Sequence, residues 1–334
     1  MHYYIISGEL SGDLYGSYLI EFLKTQDSNS QFTCWGGHYM QNAGGNLVVD
    51  LSSLSFMGFW EVFKNSKTIL KNLLFARKHI KQTNPDAIIL IDYPGFNLHV
   101  AKYAKSLDIP VFWFIAPQIW AWKSGRIKKI KKYINTLFVA LPFELEYFRR
   151  RGVQTFYFGH PMIDIFRNSK RKPILNQPNK PIIALLPGSR IQEIRLMLPV
   201  MLKASCHFSQ YQFVIICANN IKLNLYEDLI SGFNVELRFN KDIFPFVDAA
   251  VVASGTASLE LAMYNIPQVV CYKLNPISFL FAKLFSRVKY ISLVNILADQ
   301  PIVEELIQHR CNAINIESSL KSILEENNRR KIRL

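Results

Sequence analysis

Cysteine is sparse in this chain of 334 residues: Cys34, Cys206, Cys217, Cys271 and Cys311 are odd in number and form no C-x-x-C pair. That argues against a disulfide framework or a zinc ribbon and points to reduced thiols. The seven histidines never recur at i, i+3 or i, i+4, and neither a D-x-D pair nor G-x-S-x-G occurs, so the sequence calls for no metal ion and no cofactor. The absence of G-x-G-x-x-G and of G-x-x-x-x-G-K-[ST] withdraws support from a dinucleotide fold and a P-loop NTPase. Long apolar runs are missing too. Leu54 to Trp60 and Ile277 to Phe285 fall short of the roughly 20 residues that a spanning helix needs. The opening His2-Tyr3-Tyr4-Ile5-Ile6-Ser7 turns polar by Glu9, as a buried strand does and a signal peptide does not. Acidic residues are few: 25 Asp plus Glu against 39 Lys plus Arg leave +14, which points to nucleic acid, a phosphorylated substrate or an anionic lipid surface.

What is present is apolar and periodic. Hydrophobic residues make up 50% and charged residues 19%, which excludes disorder and coiled coil, and the length favours two domains. Runs bounded by Pro, Gly or Asp (Ala87 to Ile91, Val111 to Ile115, Leu137 to Leu141, Ile182 to Leu186, Phe213 to Cys217, Ala249 to Ala253) alternate with helical stretches. Near-continuous apolar runs of this kind are parallel strands covered on both faces, so the expected class is α/β. Residues 1–166 and 182–334 form two doubly wound domains in this reading, joined by the Lys-, Arg-, Asn- and Pro-rich stretch 167–181. Ligands in such sheets sit beyond the carboxyl ends of strands.

Four segments stand at such ends. Gly8-Glu9-Leu10-Ser11-Gly12-Asp13 follows the opening strand and leads into a helix; its glycines either let backbone approach an anion or only make a tight turn. Asp92, before Tyr93-Pro94-Gly95-Phe96-Asn97, is either a general base or a carboxylate that satisfies turn amides, and pattern alone favours the second. Gly188, Ser189 and Arg190 offer backbone N–H groups and a guanidinium to a phosphate. In Ser254-Gly255-Thr256-Ala257-Ser258-Leu259-Glu260, small residues open a helix whose N-terminus favours negative charge, with Glu260 one turn in for sugar hydroxyls. His160 lies near the expected hinge. Met57-Gly58-Phe59-Trp60 leads into a helical stretch, Glu61 to Lys81, in which Leu70, Leu73 and Leu74 alternate with lysines. Periodicity alone favours an ordinary buried face there, and a bilayer surface is the alternative. Lys123 to Lys132 is basic throughout and carries no reader motif for nucleic acid.

Taken together these segments resemble the lipid A disaccharide synthase family, glycosyltransferase family 19 of Gram-negative bacteria. The resemblance also draws on Ala116-Pro117-Gln118-Ile119-Trp120-Ala121-Trp122, Leu141-Pro142-Phe143-Glu144, Phe158-Gly159-His160-Pro161-Met162 and Ser292-Leu293-Val294-Asn295, in order over nearly the whole chain. It implies a GT-B fold of two Rossmann-like domains facing a cleft, and a metal-independent, inverting transfer from UDP-2,3-diacylglucosamine to 2,3-diacylglucosamine 1-phosphate. Asp92 is then the expected base, with Glu9 as runner-up. Gly188, Ser189, Arg190, Ser254, Gly255, Thr256, Glu260 and Asn295 would hold UDP. Ser11, Gly12, Asp13, Asn97, Gln118, Trp120 and His160 would line the acceptor side, and Met57, Phe59, Trp60, Leu70, Leu73 and Leu74 would face an anionic membrane. The resemblance further implies a peripheral enzyme on the cytoplasmic face of the inner membrane and a homodimer, with no role for nucleic acid. The rival readings are another GT-B enzyme of UDP-sugars and a membrane-binding homologue without activity. The family often carries an acid where Gly95 stands, and its members usually continue past a point like Asn328 with further helix.

Overall fold

The computed structural model describes residues 1–51, 66–121, 124–169, 180–276, 279 and 288–325. Its contacts divide the chain into two compact units, with the division between Ile163 and Asp164. The expected linker starts as helix, because Met162–Ser169 runs into it; residues 170–179 lie outside the described residues.

The first unit holds a parallel sheet of seven strands. In chain order these are β1 (His2–Ser7), β2 (Gln31–Gly36), β3 (Asn46–Asp50), β4 (Ala87–Ile91), β5 (Val111–Phe114), β6 (Thr136–Val139) and β7 (Thr155–Tyr157). In space they run β3-β2-β1-β4-β5-β6-β7. The second unit has a six-stranded parallel sheet in the order β10-β9-β8-β11-β12-β13. Its strands are β8 (Ile182–Leu186), β9 (Gln212–Ile216), β10 (Val235–Arg238), β11 (Val247–Ala253), β12 (Gln268–Tyr272) and β13 (Glu304–Ile307). Both are doubly wound. The central strands β4 and β8 are buried at every position, the condition that writes Ala87-Ile88-Ile89-Leu90-Ile91 without a polar residue.

Strand order reverses once in each sheet. In the first it does so between β1 and β4, where Ser7 stands opposite Ile91. In the second it does so between β8 and β11, with Leu186 opposite Val252. Chains that leave two neighbouring strands in opposite directions open a crevice at their carboxyl ends. Gly8-Glu9 and Asp92 flank the first reversal, and Pro187 to Arg190 and Ser254 to Thr256 flank the second.

Helix Ser66–Thr83 covers the first sheet with Ala76 and Ile80, both fully buried. Leu73, expected on the membrane side, packs partly against that core instead: at i, i+3 and i+7, Leu73, Ala76 and Ile80 share one face of a helix. Leu70 and Leu74 point away and remain 58% and 56% exposed. Met57, Phe59 and Trp60 lie outside the described residues. Among the described residues no helix is long and apolar enough to cross a membrane.

Candidate functional site

In the first unit the site residues stand on consecutive loops at the carboxyl edge of the sheet. Asp92 and Tyr93 both take left-handed backbone, at φ 45° and 48°. Two such residues in a row are strained, at a cost of order 1–3 kcal/mol each, so the surroundings must hold them. Asn97 does so from the next helix, Pro94–Lys105: it is fully buried, and its Nδ2 donates to the Asp92 carbonyl at 2.7 Å and the Ile91 carbonyl at 3.4 Å. Asn97 thus fixes the Asp92 turn from behind.

The glycines of the first loop are required by packing. A Cβ on Gly8 would lie 2.3 Å from Tyr93 Cγ, and one on Gly12 would lie 2.2 Å from Ser7 Oγ. They are small because side chains already fill the space. Gly8 brings the Tyr93 ring against the loop of Glu9, so the two loops pack as one body. Gly8→Ala is therefore expected to destabilise the fold by about 1–3 kcal/mol through overpacking and to lower turnover as the Asp92 turn shifts. Gly95 has nothing within 4 Å of its Cβ position, so Gly95→Ala should leave the thermal midpoint within a few degrees. An unchanged midpoint in Gly8→Ala would refute the packing role of Gly8.

Asp13, expected on the acceptor side, is a brace instead. It is fully buried, and its oxygens accept the backbone N–H groups of Gly37 at 2.7 Å and of Tyr39 and Met40 at 3.1 Å. Ser11 and Glu9 are partly buried at the start of helix Leu10–Gln26, with Gly12 buried behind them. Gln118 is exposed on the loop after β5, and Trp120 is half-buried there with its indole N–H on Glu144. His160, after β7, meets Tyr15 edge-on at 6.2 Å. Burial lowers its pKa to about 4, which keeps the ring neutral at physiological pH.

In the second unit Gly188 adopts φ +113°, backbone that a side chain would strain. The loop it forms is anchored by Glu193, a residue that sequence patterns did not single out. Its Oε2 accepts the Ser189 backbone N–H at 3.2 Å, and its Oε1 accepts from the Arg190 guanidinium at 3.0 Å. In the structure the Ser189 N–H and the Arg190 guanidinium are thus both engaged by this carboxylate. Asn220, after β9, donates to the Ser189 carbonyl at 3.3 Å and was equally invisible to motif reading.

Across the reversal, Ser254 is tied to β12 and beyond: its N–H reaches the Cys271 carbonyl at 2.9 Å, and its hydroxyl reaches the Ile291 carbonyl at 2.8 Å. Gly255 is exposed with open space around it, and Thr256 begins the helix Thr256–Met263, whose first turn leaves N–H groups without an i−4 carbonyl. Glu260 pairs with Lys241. Asn295, expected to contact UDP, is a second brace. It is 1% exposed, and its amide is used by the Val303 N–H, the Val303 carbonyl and Glu305, at 2.9, 2.9 and 2.8 Å. No group of His, Cys, Asp or Glu suited to a metal occurs among the described residues.

The family model described as Lipid-A-disaccharide synthetase matches residues 3–334. Lipid-A-disaccharide synthase of Coxiella burnetii (strain Dugway 5J108-111) is 35% identical over 98% of this chain and 90% of its own length. That of Syntrophus aciditrophicus (strain SB) is 36% identical over 98% and 89%. Among solved structures, UDP-GlcNAc 2-epimerase from Neisseria meningitidis bound to UDP-GlcNAc aligns over 100% of this chain and 94% of its own, with TM-score 0.64 and 13% identity. CalG4, the calicheamicin glycosyltransferase, aligns over 99% and 92%, with TM-score 0.58 and 13% identity. At such identities these two speak for the GT-B fold alone.

Proposed function

The chain belongs to the lipid-A-disaccharide synthase family, and from that premise we propose that it transfers 2,3-diacylglucosamine from UDP-2,3-diacylglucosamine to the 6-hydroxyl of 2,3-diacylglucosamine 1-phosphate. It is a UDP-sugar glycosyltransferase of lipid A biosynthesis. The products in this reading are UDP and a β-1,6-linked disaccharide 1-phosphate. The observation that carries it is the pair of strand-order reversals, one flanked by the Asp92 turn and the other by the loop Gly188-Ser189-Arg190.

Asp92 takes the proton of the acceptor hydroxyl as the oxygen attacks the anomeric carbon. The bond from that carbon to the diphosphate oxygen breaks on the opposite face, so configuration inverts. Charge gathers on the leaving UDP, where Arg190, the N–H groups of Gly188 and Ser189, and the helix start at Gly255 and Thr256 stabilise it. Glu260 holds the ribose hydroxyls. Glu9, on the loop packed against the Asp92 turn, is the second candidate for that base. The rival is an epimerase, which would convert UDP-GlcNAc without acceptor; strict acceptor dependence of UDP release separates the two, and UDP-sugar isomerised in acceptor-free buffer would remove the transferase reading.

Acylated substrates require access to a bilayer. The exposed Leu70 and Leu74, on a helix that also carries Lys67, Lys71, Lys78 and Lys81, fit an anionic membrane surface, on the cytoplasmic face of the inner membrane. A homodimer completes the reading. Burying one leucine contributes about 1.5–3 kcal/mol, so Leu70→Ser with Leu74→Ser should weaken binding to phosphatidylglycerol vesicles by at least tenfold with the thermal midpoint unchanged. Undiminished flotation with the vesicles would move the membrane face elsewhere.

A further inference from the structure

Glu144 is the third residue of helix Pro142–Arg149, and one of its oxygens performs the ordinary task of a carboxylate there. Oε2 accepts the Leu141 backbone N–H at 3.0 Å, tying the first turn of the helix to the residue before it. An exposed carboxylate does that equally well. Glu144, however, is 1% exposed, and its Oε1 accepts the indole N–H of Trp120 at 2.8 Å, from 24 residues earlier. Among the described residues the groups that act on it are Trp120 and the backbone N–H groups of Leu141 and Ala140, all uncharged, so none of them offsets the burial of a charge. Helix capping does not require such a cost. What the buried arrangement adds is a fixed Trp120, whose ring also stands edge-on to Phe143 at 4.9 Å.

Trp120 belongs to the loop that leaves β5 through Ile115. That residue sits at φ 65°, a genuine outlier for a β-branched side chain. β5 lies beside β4, with Phe114 opposite Ile91, so the loop borders the Asp92 turn. Strained backbone at one end and a buried hydrogen bond at the other define its shape.

We propose that Glu144 is a positioning residue for the acceptor: by holding the Trp120 indole it fixes the Ala116 to Ala121 loop beside the Asp92 turn in the form that receives the acylated sugar. This rests on the assignment of the first unit to the acceptor made above. Burial raises the Glu144 carboxyl to about 7. The ionised form, which can accept all three N–H groups, is therefore lost as the pH falls through neutrality.

The test uses the full chain, with the Glu144→Gln and Trp120→Phe variants. Glu144→Gln keeps the volume and turns one acceptor into a donor facing a donor. The expected result is an acceptor KM raised about tenfold, with UDP affinity near that of the wild type. In the wild type the acceptor KM should rise as the pH falls from 8 to 6, and in both variants that dependence should flatten. The fluorescence difference between wild type and Trp120→Phe should titrate with a midpoint near 7, a readout independent of activity. Active wild type with an unchanged acceptor KM in Glu144→Gln overturns the proposal. So does a variant whose UDP affinity falls as much as its acceptor affinity, the mark of a merely structural role. If Glu144→Gln does not fold, Trp120→Phe with unaltered acceptor KM and pH profile overturns it alone. Wild type that makes no disaccharide yet shows the fluorescence titration keeps the link between Trp120 and Glu144, and loses the acceptor assignment.

Discussion

Asp92→Asn should lower turnover by about 10²-fold to 10⁴-fold, the contribution expected of a general base, while UDP affinity stays at the wild-type value. The substitution is well matched to the site. Asp92 sits at φ 45°, and Asn tolerates left-handed backbone at least as well as Asp, so the turn has no reason to relax. The Asn97 amide holds the Asp92 carbonyl, a main-chain contact that the change leaves in place. The side chain loses its negative charge and its ability to take a proton. UDP titration and single-turnover rates read the two quantities separately. Turnover within twofold of the wild type would remove Asp92 from the mechanism, and comparable losses in Glu9→Gln would transfer the role to its neighbour across the strand-order reversal.

The second large effect falls on the donor. Arg190→Ala should weaken UDP binding by about 10-fold to 100-fold, since hydrogen bonds to charged groups contribute about 1.5–3 kcal/mol and each 1.4 kcal/mol is tenfold. The structure adds a reason for the upper end of that range. Arg190 lies on Glu193, so its removal leaves a carboxylate beside the site meant for a diphosphate, and like charges then oppose binding. Glu193→Gln in the Arg190→Ala background should recover part of the loss. The two changes are non-additive because they share that contact. Arg190→Lys, which keeps charge without the planar fork, should fall between the two. Calorimetric titration with UDP reads all of them, and retained affinity in Arg190→Ala would discard the diphosphate assignment.

The parts of this protein legible from sequence are those written by burial. Ala87 to Ile91 and Ile182 to Leu186 coincide with β4 and β8 because strands covered on both faces admit no polar residue. The place of Asp92 and of Gly188 to Arg190 followed from the strand ends. The brace residues did not show, since their partners are backbone groups supplied by distant elements. Asp13 looks like a helix-start acid until the N–H groups of Gly37, Tyr39 and Met40 surround it. Asn295 belongs to a motif that reads as ligand-binding, yet Val303 and Glu305 use its amide. The glycines of the first loop were ambiguous for the same reason: Tyr93 and Ser7, which fill the space beside them, arrive only with the fold. Leu73 was assigned to the outer face with its neighbours, and the helix turns it inward.

The left-handed pair at Asp92 and Tyr93 has no sequence mark at all. Local preference favours Gly or Asn there, and a tyrosine is kept against that preference by Gly8 beneath its ring. Glu144 ends the segment Leu141-Pro142-Phe143-Glu144, but its buried partner lies 24 residues away. Its carboxyl, raised by burial to about 7, binds a proton in the folded protein between its ordinary range and neutrality. This group's contribution to stability therefore falls as the pH rises through that window.

Incubation of the purified protein with UDP-2,3-diacylglucosamine and 2,3-diacylglucosamine 1-phosphate in detergent micelles containing EDTA, followed by mass and anomeric analysis of the lipid, tests the account most directly. It predicts a β-linked disaccharide 1-phosphate and one UDP per linkage, formed at an undiminished rate with the chelator and lost in Asp92→Asn. Folded, UDP-binding protein that yields no disaccharide, or yields it with retained anomeric configuration, would contradict it.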